Sequence, residues 1–175
     1  NSITKKNKID VLINNASNNP AANNKMRSFK FTNYKLSDWN KNLSTDLVGS
    51  FLMSKYVLKH FEKRNEGTII NISSIYALRG IDQDIYNNKL KKFYGYKPIE
   101  YSVAKAGILG FTKSLASYYK KTNIKILCLV LGGIEMGQSN YFKKNYNNKT
   151  IINRMAMLDE YNEYLKFFSS TKASY

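Results

Sequence analysis

Three short runs of nearly unbroken apolar residues punctuate this chain, and between them apolar positions recur every three or four residues. The runs are Ile9-Asp10-Val11-Leu12-Ile13-Asn14, Gly67-Thr68-Ile69-Ile70-Asn71-Ile72, and Ile124 to Leu131, which is ended by Gly132-Gly133. Short continuous runs closed by polar or glycine residues read as strands buried on both faces. Between the first two, Ser37-Asp38-Trp39 offers a helix start, and Leu43, Leu47, Phe51, Leu52, Tyr56, Val57 and Phe61 follow at helical spacing. Pro98 opens a second helix that runs through Leu109, Phe111, Leu115 and Tyr118. Asn18 to Asn33 reads as a loop, Arg79 to Lys97 as a long polar and aromatic stretch, and Asn140 to Tyr146 and Leu158 to Phe168 as helical pieces. Strand alternating with helix predicts an α/β fold, a parallel sheet with right-handed crossovers and helices on both faces.

No repeat or linker divides the chain, so residues 1–175 read as a single partial domain. It begins at once on a buried strand, with no initiator Met, which predicts an interior piece of a longer chain. Its first strand is then expected to lack a neighbour, leaving an apolar edge exposed.

Composition narrows the classes. With 43% hydrophobic residues the chain can build a core, and one Cys excludes a disulfide scaffold. No apolar run approaches the roughly 20 residues of a membrane span, and the opening NSITKKNKID is too polar for a signal peptide. A cytoplasmic protein without a membrane partner is the expectation. The 28 Lys+Arg against 12 Asp+Glu give +16, a charge that a nucleic-acid binder could carry. The excess is mostly Lys, scattered from Lys5 to Lys172, while Arg occurs only at 27, 64, 79 and 154. Base and phosphate readers favour the Arg fork, so a Lys/Asn-biased surface with no nucleic-acid partner is the reading. A basic nucleic-acid-binding domain stays as the alternative from another class.

The strongest chemical signal is Tyr101-Ser102-Val103-Ala104-Lys105 in the second helix. Residues four apart share a helix face, so phenol and ammonium reach one spot. A free Tyr titrates near pH 10, so a tyrosine base near pH 7 needs a shift of about 3 units, roughly 4 kcal/mol. A nearby ammonium in a partly dry cleft supplies part of that. Ile70-Asn71-Ile72-Ser73-Ser74 puts hydroxyls at the carboxyl end of the second strand, and Leu12-Ile13-Asn14-Asn15-Ala16-Ser17 ends the first in a similar way. That edge of an open α/β sheet is where ligands bind. Gly132-Gly133-Ile134 lets backbone approach a ligand at the end of the third strand. His60 in a Lys-rich helix end reads as solvated, Cys128 as a small core residue, and Trp39 as packing at the helix start. One His and one Cys make no usual zinc set.

In this order NNAS, NISS, YSVAK and LGGI resemble the short-chain dehydrogenase/reductase family, with NNAS for its NNAG and LGGI for its PGxI. SSIYA, the long insertion, PIEYSVAK and NRMAMLDE also resemble a subgroup linked to flagellin modification and nucleotide-sugar chemistry. The resemblance implies a Rossmann-type doubly wound parallel sheet, incomplete at both ends. It implies NAD or NADP as cofactor, and interconversion of a secondary alcohol and a ketone, with a sugar derivative as a candidate small-molecule substrate. Tyr101 would be the general acid/base, and Lys105 would bind the nicotinamide ribose and lower the Tyr101 pKa. Ser74 would hold the reacting oxygen, with Ser73 the neighbour to test against it. Asn15 would meet the cofactor on its adenosine side, and Ile134 its carboxamide. The glycine-rich turn that would choose NAD or NADP precedes anything present. The family's active-site Asn aligns with Asp46, its Pro with Leu131, and a Thr with Met136, while 26 residues separate Ser74 from Tyr101. Asp46 in that place also admits a catalytically weak nucleotide-binding relative. Family members commonly pair the two long helices across a twofold axis, so surplus apolar residues there (Phe51, Tyr56, Ile108, Phe111, Tyr118) imply a homodimer or homotetramer. Ile81 to Lys97, with Tyr86, Phe93, Tyr94 and Tyr96, is expected to form a flap on the substrate side.

Overall fold

The structure is a computed structural model that describes residues 8–18, 31–88, 93–94 and 96–173. Its centre is a parallel sheet of three strands in the order β1 (Val11–Asn14), β2 (Gly67–Ser74), β5 (Ile124–Leu131). Val11 pairs with Thr68 and Gly67 with Ile124, so β1 stops opposite Asn71 while β2 and β5 end together at Ser74 and Leu131. All eight residues of the central β2 are buried, as its near-continuous apolar run requires; β5 is mostly half-buried. Two-residue strands β3 (Asn87–Asn88) and β4 (Phe93–Tyr94) form a separate antiparallel pair within the insertion.

The first long helix is not continuous. α1 (Leu36–Leu43) and α2 (Gly49–Arg64) are joined by a π-helical turn over Ser44–Val48, with helical backbone throughout. One extra residue per turn rotates the downstream face, and such bulges gather at functional sites. Here the turn buries Asp46, a placement that the apolar spacing alone does not foretell. Asn65, in the left-handed conformation at φ 49°, ends α2, with its N–H directed at the Glu62 and Phe61 carbonyls. α3 (Ile99–Tyr118) starts directly after Pro98, as expected.

α2 and α3 lie on one face of the sheet, where Val57, Leu58 and Phe61 pack with Ile69 and Ile124. The alternation of side chains along a strand puts Lys125 on the other face. There its ammonium donates to the Ser170 and Ala173 carbonyls, just beyond α5 (Asn162–Ser169). A second cluster joins Ile85 and Tyr86 of the insertion to Phe142 and Tyr146 of α4 (Asn140–Asn147) and to Met155. Within the helix-side layer runs a polar ladder. Asn14 donates to Asn71 at 2.7 Å and to Ser54 at 3.1 Å, and Asn71 donates to Thr112 at 2.9 Å. His60 is half-buried rather than solvated, because its Nε2 lies 3.5 Å from the Ile9 N–H and 3.2 Å from Arg64. Cys128 and Trp39 are half-buried. Among the described residues no helix is long and apolar enough to cross a membrane.

Gly67 carries the tightest approach in the fold. A Cβ there would lie 2.3 Å from the ring of Phe61, which is wholly buried. Overpacking of this kind costs typically 1–3 kcal/mol. Gly67→Ala is therefore expected to lower the unfolding free energy of the full-length protein by about 1–3 kcal/mol, read as a lower urea midpoint at unchanged slope. An unchanged midpoint would show that the Phe61 ring moves aside at no cost.

Candidate active site

The carboxyl ends of β2 and β5, the first turns of α3, and the insertion enclose a cleft of about 390 Å³. Its lining includes Asn15, Ser74, Tyr101, Lys105 and Ile134, so five of the six sequence-derived candidates meet there. The sixth, Asp46, stands immediately behind, 3.9 Å from the Lys105 ammonium.

Strand alternation separates the two serines. Ser73 turns to the helix side and donates to the Lys105 carbonyl at 2.8 Å. Ser74 turns the other way, lines the cleft with Tyr101, and accepts the Tyr76 N–H at 3.2 Å. Ser74 is thus the hydroxyl beside the phenol, and Ser73 is a strut between sheet and helix. Lys105 is buried; it donates to the Ile72 carbonyl at 3.2 Å, and its ammonium lies 5.7 Å from the centre of the Tyr101 ring. Burial pushes the Tyr101 phenol above its ordinary value; the nearby Ser74 hydroxyl pulls it back, and the Asp46 carboxylate adds to the rise. Burial pulls the Lys105 ammonium down, and Asp46 opposes that.

Asp46 is tied to the chain after β1. Its carboxylate accepts from the Ser17 hydroxyl at 2.5 Å and from the Asn18 N–H at 2.8 Å, and its carbonyl accepts from Ser50 at 2.7 Å. On the far side of the cleft the Gly133 N–H donates to the Tyr146 hydroxyl at 2.6 Å, and the Ile134 carbonyl accepts from Gln138 at 2.8 Å. A Cβ on Gly133 would fall 2.9 Å from Tyr146 and Met155, so only a bare backbone fits between them.

Sequence reasoning passed over Tyr76, Tyr146, Met155 and the ammonium of Lys97, all of which line the cleft. Lys97 is buried with its Nζ 4.3 Å from the centre of the Tyr101 ring. The available signal was its position four residues before Tyr101. Of the expected flap, Tyr86 and Lys97 among the described residues line the cleft. Ile85 and Tyr86 are core residues, and the Tyr86 hydroxyl meets that of Tyr76 at 3.2 Å. Tyr96 is half-buried, and the side chains of Phe93 and Tyr94 lie outside the described residues. Among the described residues no cluster of His, Cys, Asp or Glu could hold a metal ion.

A parallel α/β sheet with hydroxyl, phenol and ammonium convergent at its carboxyl edge defines a Rossmann-type domain with a ligand cleft at the expected edge. The chain belongs to the short-chain dehydrogenase/reductase family. A family model described as enoyl-(acyl carrier protein) reductase matches residues 1–175. The chain is 30% identical over 171 residues to a 3-oxoacyl-[acyl-carrier-protein] reductase FabG of Aquifex aeolicus, covering 95% of this chain and 60% of that protein. It is 32% identical over 143 residues to the protein of the same name from Chlamydia pneumoniae, covering 82% and 49%. A crystal structure of a short chain dehydrogenase from Leptospira borgpetersenii with bound NAD+ is similar at a TM-score of 0.85 and 32% identity. That match covers 99% of this chain and 63% of that one. This chain therefore spans about half to two thirds of the relatives it matches.

Proposed function

We propose that the protein is an NAD(P)-dependent oxidoreductase that interconverts a secondary alcohol and a ketone. The observation that carries this reading is the convergence of Ser74, Tyr101 and the buried Lys105 in one cleft at the carboxyl edge of the sheet. The residues present fit a nicotinamide ribose. Lys105 and Tyr101 would face its hydroxyls, and Ile134 its carboxamide. Asn15 would lie toward the adenosine side. When bound, the nicotinamide supplies the hydride acceptor or donor. Everything else falls to the chain. In the oxidative direction Tyr101 Oη takes the carbinol proton, and in the reductive direction it gives that proton to the ketone oxygen. Ser74 Oγ hydrogen-bonds the same oxygen and fixes its position. Lys105 favours the phenolate, and Asp46 stands against it.

Relatives bear names for 3-oxoacyl groups on acyl carrier protein, whereas the motif resemblance suggests a sugar derivative. Both offer a ketone to the same Ser–Tyr pair. The test is dinucleotide binding by the full-length protein, followed by turnover with a 3-oxoacyl thioester and with keto sugars. Failure to bind either dinucleotide would overturn the reading. Tight salt-dependent binding to DNA or RNA by the same preparation would then favour the nucleic-acid alternative.

A homodimer or homotetramer belongs to this proposal. Phe51, Tyr56 and Tyr118 are exposed by 45%, 54% and 80%, whereas Ile108 is buried and Phe111 half-buried, edge-on to Phe51 at 6.4 Å. The apolar surplus thus lies on α2 and at the end of α3, as pairing of these helices requires. Light scattering of the full-length protein is expected to give a dimer or tetramer. Monomer alone at micromolar concentration would remove the idea.

A further inference from the structure

The insertion between β2 and α3 ends on a lysine whose head group does not reach solvent. Lys97 is 5% exposed, and its ammonium lies over the Tyr101 ring, nearer to the ring centre than that of Lys105. Its backbone is held on both sides by one side chain. The Gln83 carboxamide accepts the Lys97 N–H at 2.9 Å and donates to the Lys97 carbonyl at 2.9 Å. The start and end of the insertion are thereby clamped together, and the clamp fixes where the lysine stem enters the cleft.

We propose that Lys97 is a second cation for Tyr101, a positioning residue that holds the ring and favours its phenolate. An ammonium over an aromatic face is attracted to the ring quadrupole. The attraction grows when the ring carries a full negative charge, so it acts on the ionisation of the phenol and not only on its orientation. The inference rests on the assignment of Tyr101 as the proton-transfer residue, and it goes beyond the tyrosine–lysine pair of the helix. Lys105 sits beside Asp46, which offsets part of its charge. Lys97 adds a second positive charge near the ring and balances the carboxylate.

Among the described residues the titratable groups around this pair come from each packed element. They are Asp46 from the π-helical turn, Glu100 and Lys105 from α3, Tyr76 from the turn after β2, Tyr86 from the insertion, and Tyr146 from α4. Burial pulls the Lys97 ammonium down to about 8, while Asp46 and Glu100 act to keep it charged and Lys105 acts against. Its help to Tyr101 is therefore full well below pH 8 and fades above it.

The test is a titration of the full-length protein labelled with carbon-13 at tyrosine Cζ. The Tyr101 resonance is identified by its loss in Tyr101→Phe. Lys97 gives up its proton before Tyr101 does, so Lys97→Arg, charged at every accessible pH, is expected to lower the Tyr101 midpoint by roughly 2 pH units, from two charges about 5 Å apart at an effective dielectric near 20. Lys97→Met is expected to leave that midpoint close to the parent's and to lower kcat below pH 8 by roughly tenfold, with KM changed by no more than about threefold. An unmoved Tyr101 midpoint in Lys97→Arg, or a kcat below pH 8 that Lys97→Met leaves unchanged, would overturn the proposal. If Lys97→Met does not fold, Lys97→Arg decides by the midpoint alone. If the protein turns over no ketone with either dinucleotide, the functional reading fails, while the tyrosine titration still judges Lys97.

Discussion

Replacing Tyr101 by Phe in the full-length protein is expected to reduce kcat/KM by roughly 10²–10⁴-fold, the usual worth of a positioned general acid or base. The ring stays in place in this variant. Its edge-on contact with Tyr76 at 6.3 Å and the Lys97 ammonium over its face do not depend on the hydroxyl. Dinucleotide affinity should accordingly change by no more than a few fold, as read by quenching of protein fluorescence. Ser74→Ala leaves the proton carrier intact and should cost less. A Tyr101→Phe variant within tenfold of the parent would show that the proton travels by another route, and the assignment of Tyr101 would fall.

The second large effect is expected at Asp46. Its carboxylate lies 3.9 Å from the Lys105 ammonium and adds to the rise that burial imposes on the Tyr101 phenol. A unit charge about 6 Å away at an effective dielectric near 20 is worth roughly 3 kcal/mol, or about 2 pH units before the lysines offset part of it. The sign follows from the charge: a nearby anion opposes phenolate, so activity in the oxidative direction should rise only at alkaline pH. Asp46→Asn removes the charge and keeps the shape, so the rising limb should move to lower pH by about 1 unit. The Asn oxygen can still accept the Asn18 N–H, and the Ser17 hydroxyl can turn to accept from the new amide. A limb that stays in place, or activity that vanishes, would show that Asp46 serves the chain after β1 and does not act through its charge.

The sheet was legible because buried parallel strands write themselves as continuous apolar runs. Ile124–Leu131 was read at its true bounds, Gly67–Ser74 two residues short at its polar end, and Val11–Asn14 two residues long at its start. Pro98 marked the start of α3 for a reason that holds in any fold: it fixes φ and has no N–H to leave unpaired. The π-helical turn was invisible, since Leu43, Leu47 and Phe51 keep apolar spacing across it. The turn buries the Asp46 carboxylate, which periodicity does not encode. The hydroxyl, phenol and ammonium of the site were legible as strand-end and i, i+4 positions. Lys97 was not, because a lysine among many lysines reads as surface. Only the enclosure made by Ile85, Tyr86, Phe142, Tyr146 and Met155, residues far apart in sequence, dries its surroundings.

The Asn14–Asn71–Thr112 ladder bears on how errors in folding are rejected. Apolar strands can slide past one another with little loss, since one isoleucine serves nearly as well as the next. A carboxamide in a dry layer cannot. If β1 slipped along β2, the Asn71 side chain, with no exposed surface, would face hydrocarbon with its oxygen unanswered. That is a penalty of about 1–3 kcal/mol for a single lost partner. The ladder thus works as a checksum on the alignment of β1 with β2.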